Sequence, residues 1–265
     1  NSTHSATTIA TNATATTAAG GNSGLKIYGN TISNVNNGIL VLGPTAAADH
    51  NTGIDIGGAG GAQANTISNF GTTGTFSGYA NLSCTVNVIL LRNTNGFTVS
   101  FNSINSSVGG TTVGTLNGIQ LAAASNAPTG TYTNNINSNV ISLRSGLAGG
   151  AINGINIPSG SASATSTLNV NNNDFNTFGH TVSGTGIIIF ILNASTFQFS
   201  NINSNTFTNI TVNTTGNVTF ISNSMNAPAS GTKTVNSNSI VTAFSKTGAG
   251  GTVSLYTDGG SSTST

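Results

Sequence analysis

The sequence predicts an all-β fold, a right-handed parallel β-helix of about eight coils with three short strands in each coil. Three observations predict it: an Asn-x-apolar tripeptide recurs along the chain, apolar residues keep a fixed register with it, and a Gly-apolar-x-apolar segment recurs between its copies. Each coil would rise by the distance between neighbouring strands, roughly 4.8 Å. The chain shows no helical periodicity, and it is rich in Gly, Asn, Thr and Ser, which are poor residues for helix interiors.

The asparagine of the tripeptide marks a corner between two strands. The successive spacings of this asparagine are 35, 37, 37, 34, 32, 18 and 15 residues. Asparagine tolerates the left-handed backbone conformation that a sharp bend needs, and stacked amides can pass hydrogen bonds along the axis. The last two spacings are too short for the same coil, so we expect tight coils or a missing strand there. The eight predicted corners are Asn30, Asn65, Asn102, Asn139, Asn173, Asn205, Asn223 and Asn238.

Apolar residues flank each corner and would point inward from the two strands that meet there. The predicted core column, two residues after each corner, is Ile32, Ile67, Ile104, Ile141, Phe175, Phe207, Met225 and Ile240. The column three residues before each corner is Ile27, Ala62, Val99, Ile136, Val170, Ile202, Phe220 and Val235. A disordered chain has no reason to keep this register.

A third strand is predicted between the corners. It begins at Gly38, Val86, Gly118, Gly154 and Gly186 in successive repeats. One coil cannot bury its apolar face alone, so stacked coils would share a continuous core. The insertions at 57–64 and 70–85 are expected on loops outside the coil.

The β-helix is predicted over residues 25–256. Residues 1–24 are rich in Thr and Ala and are expected to form a leading segment or an incomplete first coil, and residues 257–265 a trailing Ser/Thr/Gly-rich segment. We expect the chain to be a mature or internal piece of a longer secreted protein.

Charge is scarce along the whole chain. Of its 265 residues only 3% are charged, against roughly 25% in an ordinary domain. The net charge of +1 gives no reason to expect nucleic acid or an anionic membrane as a partner. The longest apolar run, at 187–192, has the length of a strand, so no membrane insertion is expected. The single cysteine, Cys84, has no partner for a disulfide within the chain.

The ionisable residues do not predict a catalytic or metal site. The acids are Asp49, Asp55, Asp174 and Asp258, and the predicted β-helix lets only the first two approach each other, across a turn. A glycosidase needs two carboxylates within roughly 5 to 9.5 Å, and a calcium site usually needs several. The residues His4, His50, His180 and Cys84 lack the spacing of zinc ligands. We therefore predict no catalytic residues, no metal and no cofactor.

Phosphate binding is not predicted either. The glycine-rich stretch at 57–61 is not followed by the Lys-Ser/Thr pair or the helix of a phosphate loop.

The strings Gly53-Ile54-Asp55-Ile56-Gly57-Gly58, Asn65-Thr66-Ile67-Ser68 and Asn102-Ser103-Ile104 resemble the right-handed β-helix repeats of the pectate-lyase-like superfamily. The Asn/Thr/Ser bias and the near-absence of charge resemble the repeat regions of very large bacterial surface proteins and adhesins. The resemblance implies a secreted, cell-surface, fibrous or adhesive role.

The leading functional hypothesis is a non-enzymatic structural or adhesive segment of an extracellular protein, a stiff rod of a larger surface or filament-forming protein. Its expected partners are further copies or neighbouring repeats of the same protein, and a glycan or another cell-surface ligand. One alternative is a carbohydrate-binding module or an inactive lyase-like domain that uses Tyr28, Tyr79 and Tyr132 along one groove. A second alternative is an ice-binding protein, which would need a regular outward column of threonines. The outward column after the corners reads Thr31, Thr66, Ser103, Val140, Asp174, Thr206, Ser224 and Ser239.

Overall fold

The computed structural model describes residues 17–71, 85–106, 114–124, 126–160 and 165–260, together with the backbone of two N-terminal strands. Those two strands, Ser2–Ser5 and Thr8–Asn12, pair with each other in antiparallel fashion. Every other strand pair is parallel within the described part of the chain.

Three parallel sheets, each of seven strands, form the body of the molecule. The first sheet contains Lys26–Ile27, Asp55–Ile56, Thr98–Ser100, Thr133–Asn137, Thr167–Asn171, Phe199–Asn203 and Thr232–Asn236. The second contains Thr31–Val35, Thr66–Phe70, Ser103–Asn105, Val140–Ser142, Asp174–Asn176, Thr206–Thr208 and Ser239–Ile240. The third contains Ile39–Leu42, Val86–Arg92, Leu116–Leu121, Ile152–Ile157, Ile188–Asn193, Val218–Asn223 and Val253–Thr257.

Short elements lie at the remaining corners and loops. Three two-stranded parallel pairs join Asn51–Thr52 to Thr94–Asn95, Arg144–Ser145 to Gly179–His180, and Thr211–Val212 to Ser245–Lys246. The described 3-10 helices are Ala18–Gly20, Ala47–Asp49 and Gly61–Gln63. The last of these lies in the insertion at 57–64, and most of the insertion at 70–85 falls outside the described residues.

The chain passes through the three sheets in turn and returns to the first, which confirms the predicted right-handed parallel β-helix. The predicted number of about eight coils is wrong, because the solenoid makes between six and seven turns. The miscount came from one asparagine. Asn223 ends a strand of the third sheet, and the true corner after Asn205 is Asn238, 33 residues later. The coil therefore keeps its length to the end, and the expectation of tight coils or a missing strand there is wrong.

The predicted core column runs through the second sheet. The strand register places Ile32, Ile67, Ile104, Ile141, Phe175, Phe207 and Ile240 one above the next. From Ile67 to Phe207 these side chains are at most 2% exposed, whereas Ile240 on the last coil is 39% exposed. Met225 is buried, but it follows a strand of the third sheet, so its predicted place in this column is wrong.

The column of the first sheet contains Ile27, Ile56, Val99, Ile136, Val170, Ile202 and Val235. Two predicted members are wrong. Ile56 occupies the place expected for Ala62, because the insertion at 57–64 separates this strand from its corner. Phe220 lies in the third sheet.

The third sheet packs closely against the other two. A side chain at Gly154 would place its Cβ 2.5 Å from the Phe175 ring and from the Phe190 carbonyl oxygen. Glycine at this position therefore lets the two sheets approach. The C-terminal half of the interior is aromatic: Phe175 stacks on Phe207, and Phe190 on Phe220, with ring centroids 5.3 and 4.9 Å apart.

Candidate functional site

The corner asparagines form a continuous ladder of side-chain amides along the solenoid. In six successive steps, the Nδ2 group of one asparagine donates to the Oδ1 atom of the asparagine on the next coil, at 2.9 to 3.0 Å. The ladder contains Asn30, Asn65, Asn102, Asn139, Asn173, Asn205 and Asn238. Stacking of the predicted corner asparagines is thus confirmed for seven residues, and Asn223 does not take part.

Each interior amide of the ladder is fully used. Asn139, for example, donates through Nδ2 to the Asn173 Oδ1 atom and to the carbonyl oxygen of Val99, both at 2.9 Å. Its own Oδ1 atom accepts from the Nδ2 and the backbone N–H of Asn102, both at 3.0 Å. Asn139 is completely buried, as are the other four interior asparagines of the ladder. A buried amide with all of its hydrogen bonds made stabilises the corner, and one with partners missing would destabilise it.

The prediction that the corner asparagine itself adopts the left-handed backbone conformation is wrong for most coils. The residue in the left-handed conformation is the one before the ladder asparagine in most coils, for example Ser138 with φ 58° and Ser204 with φ 57°. The bend therefore does not require asparagine at the ladder position. The side-chain hydrogen bonds of the ladder require asparagine at this position. A leucine side chain makes no hydrogen bond, and a serine hydroxyl can donate only once.

Asn223 belongs to a different corner. Its Oδ1 atom accepts from the Nδ2 group of Asn193, one coil earlier in the third sheet, at 3.0 Å. Asn193 also donates to Ser200 at 3.0 Å. Further up the same sheet, Asn153 donates to Asn117, and Asn117 donates to Asn87, both at 2.9 Å. These two shorter stacks were not predicted. Asn87, Asn117 and Asn153 each begin an Asn-x-apolar tripeptide, but they lie inside strands of the third sheet and not at a ladder corner.

The outward side of the first sheet carries a regular array of amides and hydroxyls, which we call the amide face. Residues on its strands alternate between buried and half-exposed, so every second side chain points outward. The amide face consists of Thr133, Asn135, Asn137, Thr167, Asn169, Asn171, Phe199, Asn201, Asn203, Thr232, Thr234 and Asn236. No residue in this set is charged.

Hydrogen bonds between coils orient the amides of the amide face. Asn201 donates through Nδ2 to the Oδ1 atom of Asn169, and Asn169 does the same to Asn135, both at 2.9 Å. In the next column, the Oδ1 atoms of Asn137 and Asn171 accept backbone N–H groups from the following coil. The Nδ2 groups of Asn137 and Asn171 make no hydrogen bond with a described residue, and the side chains are half-exposed, so these groups are available to donate to a ligand.

The four carboxylates make separate contacts and do not pair. Asp55 accepts a hydrogen bond from the Tyr28 hydroxyl, and this bond raises the pKa of Tyr28. The Asp174 Oδ1 atom accepts from the hydroxyls of two threonines on the next coil, at 2.8 and 2.9 Å. Asp258 forms an ion pair of 2.7 Å with Lys233, whose hydrogen bond lowers the pKa of Asp258. Asp49 ends a short 3-10 helix in a loop.

Two histidines are buried. Burial lowers the pKa of His50 and of His180, and the Nε2 atom of each makes no hydrogen bond with any residue that the structure describes. On the other ring nitrogen, His50 contacts the Asn95 amide at 3.2 Å and His180 contacts the Leu147 carbonyl oxygen at 2.9 Å. No group of three or more His, Cys, Asp or Glu side chains forms within the described ranges. Cys84 and the side chain of His4 lie outside them.

The structure also shows where the residues of the two alternative functions lie, the tyrosines of a carbohydrate groove and the threonine column of an ice-binding face. Tyr28 lies on the first coil and Tyr132 beside the fourth strand of the first sheet, so these two tyrosines do not stand on adjacent coils, and Tyr79 is outside the described residues. The outward column of the second sheet is Thr31, Thr66, Ser103, Val140, Asp174, Thr206 and Ser239. Val140 and Asp174 interrupt its hydroxyls, and Ser224 lies elsewhere.

No protein-family model, curated protein or solved structure matches the chain. Among the described residues, no helix has the length and apolar character needed to span a membrane.

Proposed function

We propose that this chain is a non-enzymatic structural segment of an extracellular surface protein, a stiff β-helical rod that holds loops and faces at fixed positions. The observation that carries the proposal is the ladder of buried, fully hydrogen-bonded asparagines that links all the coils. Such a ladder resists separation of neighbouring coils, because pulling two coils apart would leave buried amides unpaired.

The arrangement of ionisable groups supports a structural role over a catalytic one. Each of Asp55, Asp174 and Asp258 is engaged by a different neighbour, on a different part of the solenoid. Glycoside hydrolysis needs two carboxyl groups that face one substrate, roughly 5 to 9.5 Å apart. The buried histidines are enclosed by the coil, where they fill space between strands.

The rod proposal predicts resistance to force and to proteases. The full chain, held at its two ends in a single-molecule pulling experiment, should unfold at higher force than the Asn139→Leu variant. Limited proteolysis should cut the loops and leave the coils intact. The rod proposal would be contradicted if the wild-type chain unfolded at the same force as the variant and if proteases degraded its coils as readily as its loops.

The extracellular location is tested separately. Antibodies against the folded chain should label intact cells of the source organism, and protease treatment of those cells should remove the signal. Labelling that appears only after the cells are permeabilised would contradict a surface location.

The amide face favours a second candidate function, the binding of a neutral polysaccharide. Its amides are oriented before any ligand arrives, so binding would order few side chains. The half-buried Phe199 supplies an apolar surface within the same array. Sedimentation with insoluble neutral polysaccharides should retain the wild-type chain, and Asn171→Asp should weaken retention more than Asn176→Asp on the second sheet. Equal retention of both variants, or none for the wild type, would contradict this function.

A further inference from the structure

The last described coil exposes more large apolar side chains than any other coil in the described part of the chain. Of the ten exposed large hydrophobic residues in the described part of the chain, five lie on this coil. They are Ile240, Val241, Val253, Leu255 and Tyr256, with exposures of 39 to 63%. On the first coil, Leu25 and Leu40 are exposed at 38% and 45%, and the in-facing Ile39 and Val41 are buried at 5% and 3%. A contiguous exposed apolar patch marks an interaction site.

A cleft of about 250 Å³ opens at this end of the solenoid. Its lining includes Phe207 and Phe220 from the coil below, and Ile240 and Leu255 from the last coil. Within the rest of the solenoid, the next coil covers the corresponding aromatic rings. The cleft is therefore the place where an in-facing residue of one more coil would fit.

The ladder has a direction, and its two ends are complementary. Every amide donates towards the C-terminal coil and accepts from the N-terminal side. At the last coil, Asn238 donates through Nδ2 to the Ile202 carbonyl oxygen, and its other N–H has no acceptor among the described residues. At the first coil, Asn30 is exposed, and its Oδ1 atom receives no hydrogen bond from any described residue.

We propose that the last coil is a docking surface for the first coil of a second copy of this chain, so that copies stack head to tail. In this arrangement, Asn238 of one copy donates to the Oδ1 atom of Asn30 in the next, and the ladder continues across the junction. A partner without the Asn-x-apolar coil would leave this donor unpaired.

The apolar columns favour the same partner. Val235 and Ile240 on the last coil would be continued by Ile27 and Ile32, which are half-buried on the first coil. Leu255 stands in the column of the third sheet that begins at Gly38. Gly38 has no side chain that could collide with Leu255 at the junction.

A head-to-tail contact does not close on itself unless the copies form a ring, so it produces an open filament. The scarcity of charge favours this association, because a net charge of +1 gives little electrostatic repulsion between copies. The inference does not depend on an extracellular location or on glycan binding.

Sedimentation velocity over a range of concentrations tests the proposal with two variants that block opposite ends. Ile240→Asn/Leu255→Asn alters the last coil, and Asn30→Leu removes the acceptor on the first coil. Val140→Asn is the matched control, because it replaces an apolar residue that is 44% exposed in the middle of the solenoid. Circular dichroism melts verify that each variant is folded.

We expect the wild type and Val140→Asn to form species that grow beyond dimers with concentration. Each end variant alone should be monomeric, with association weakened at least about tenfold, equivalent to about 1.4 kcal/mol. An equimolar mixture of the two end variants should stop at a dimer, since it contains one intact junction. The proposal is overturned if the wild type stays monomeric. It is also overturned if Asn30→Leu associates like the wild type while the last-coil variant does not, because the contact would then join two last coils.

Discussion

Replacement of Asn139 by leucine tests the central structural claim, that the ladder stabilises the fold through its hydrogen bonds. Leucine has the same number of side-chain heavy atoms as asparagine and branches at the same carbon, so the change removes the polar contacts and introduces somewhat larger terminal groups. The backbone N–H of Asn102 would lose its acceptor in a fully buried site. The Nδ2 group of Asn102 would lose one hydrogen bond and keep the carbonyl oxygens of Ile56 and Ser100. The carbonyl oxygen of Val99 would lose a donor.

Each buried group left without a partner costs about 1–3 kcal/mol. The orphaned backbone N–H costs about 1–3 kcal/mol, and the lost hydrogen bonds of the Asn102 Nδ2 group and the Val99 carbonyl oxygen add about 0.5–1.5 kcal/mol each. The expected loss is therefore about 2–6 kcal/mol, which is large against a typical total stability of about 5–15 kcal/mol. For a chain of this size, 1 kcal/mol corresponds to a shift of about 2–4 °C in Tm, so the expected decrease in Tm is on the order of 10 °C.

The assay is thermal and urea denaturation of the full chain, followed by far-UV circular dichroism at low protein concentration. Asn30→Leu is the matched control, because it makes the same substitution at the exposed end of the ladder and should cost less than about 1 kcal/mol. If both variants lowered Tm equally, or if neither did, the claim that burial makes the ladder essential would be refuted.

Three further predictions concern the interior. Gly154→Ala should lower the free energy of unfolding by about 1–3 kcal/mol because its Cβ would overlap neighbouring atoms at 2.5 Å, whereas Gly60→Ala, with nothing within 4 Å, should change it little in the same urea titration. Phe207→Ala should cost about 3–5 kcal/mol, measured in the same way, because a buried ring is removed from an aromatic stack. Burial lowers the pKa of His50 and His180, so the unfolded chain binds protons more readily than the folded one. Stability should therefore be fully present above about pH 6.5 and should decrease as the pH falls below it, and a Tm that rose between pH 7.5 and pH 5 would contradict this.

Much of the fold could be predicted because one physical constraint repeats in every coil. Each coil must bury an apolar residue on both sides of the same corner, and a shift of one residue would turn these side chains outward. That is why the core column from Ile32 to Phe207 follows from the sequence alone. The prediction went wrong where a second corner used the same residues: Asn223-Ser224-Met225 has the pattern of a ladder corner but ends a strand of the third sheet. The tripeptide cannot distinguish the two corners, whereas the return to a 33-residue spacing at Asn238 could have done so.

The candidate surfaces were harder to predict, because they depend on which groups remain unused after folding. The sequence shows many asparagines, but only the structure distinguishes Asn139, whose buried amide is fully hydrogen-bonded within the ladder, from Asn171, whose amide is half-exposed and keeps a donor available. The exposed apolar residues at the end of the solenoid were also not predictable from the sequence. Leu255 reads as an ordinary strand residue in the sequence, and its exposure results from its place in the last coil.

Because neighbouring ladder residues share hydrogen bonds, their contributions should not add. Asn102→Leu alone would leave one N–H of the Asn65 amide without its acceptor and would remove a donor from the Asn139 Oδ1 atom. Asn139→Leu alone would remove one acceptor from the Asn102 Nδ2 group. In the double variant both the Asn102 Nδ2 donor and the Asn139 Oδ1 acceptor are absent, so the hydrogen bond between them is lost only once. The double variant should therefore cost at least about 1 kcal/mol less than the sum of the single variants, within the range measured for coupled neighbours. Double-mutant cycles in urea measure this difference, with Asn102→Leu/Asn205→Leu as the distant pair that should be additive to within about 0.5 kcal/mol. If the losses in free energy of unfolding were as additive for the adjacent pair as for the distant pair, each amide would stabilise its own corner independently, and the ladder would not be cooperative.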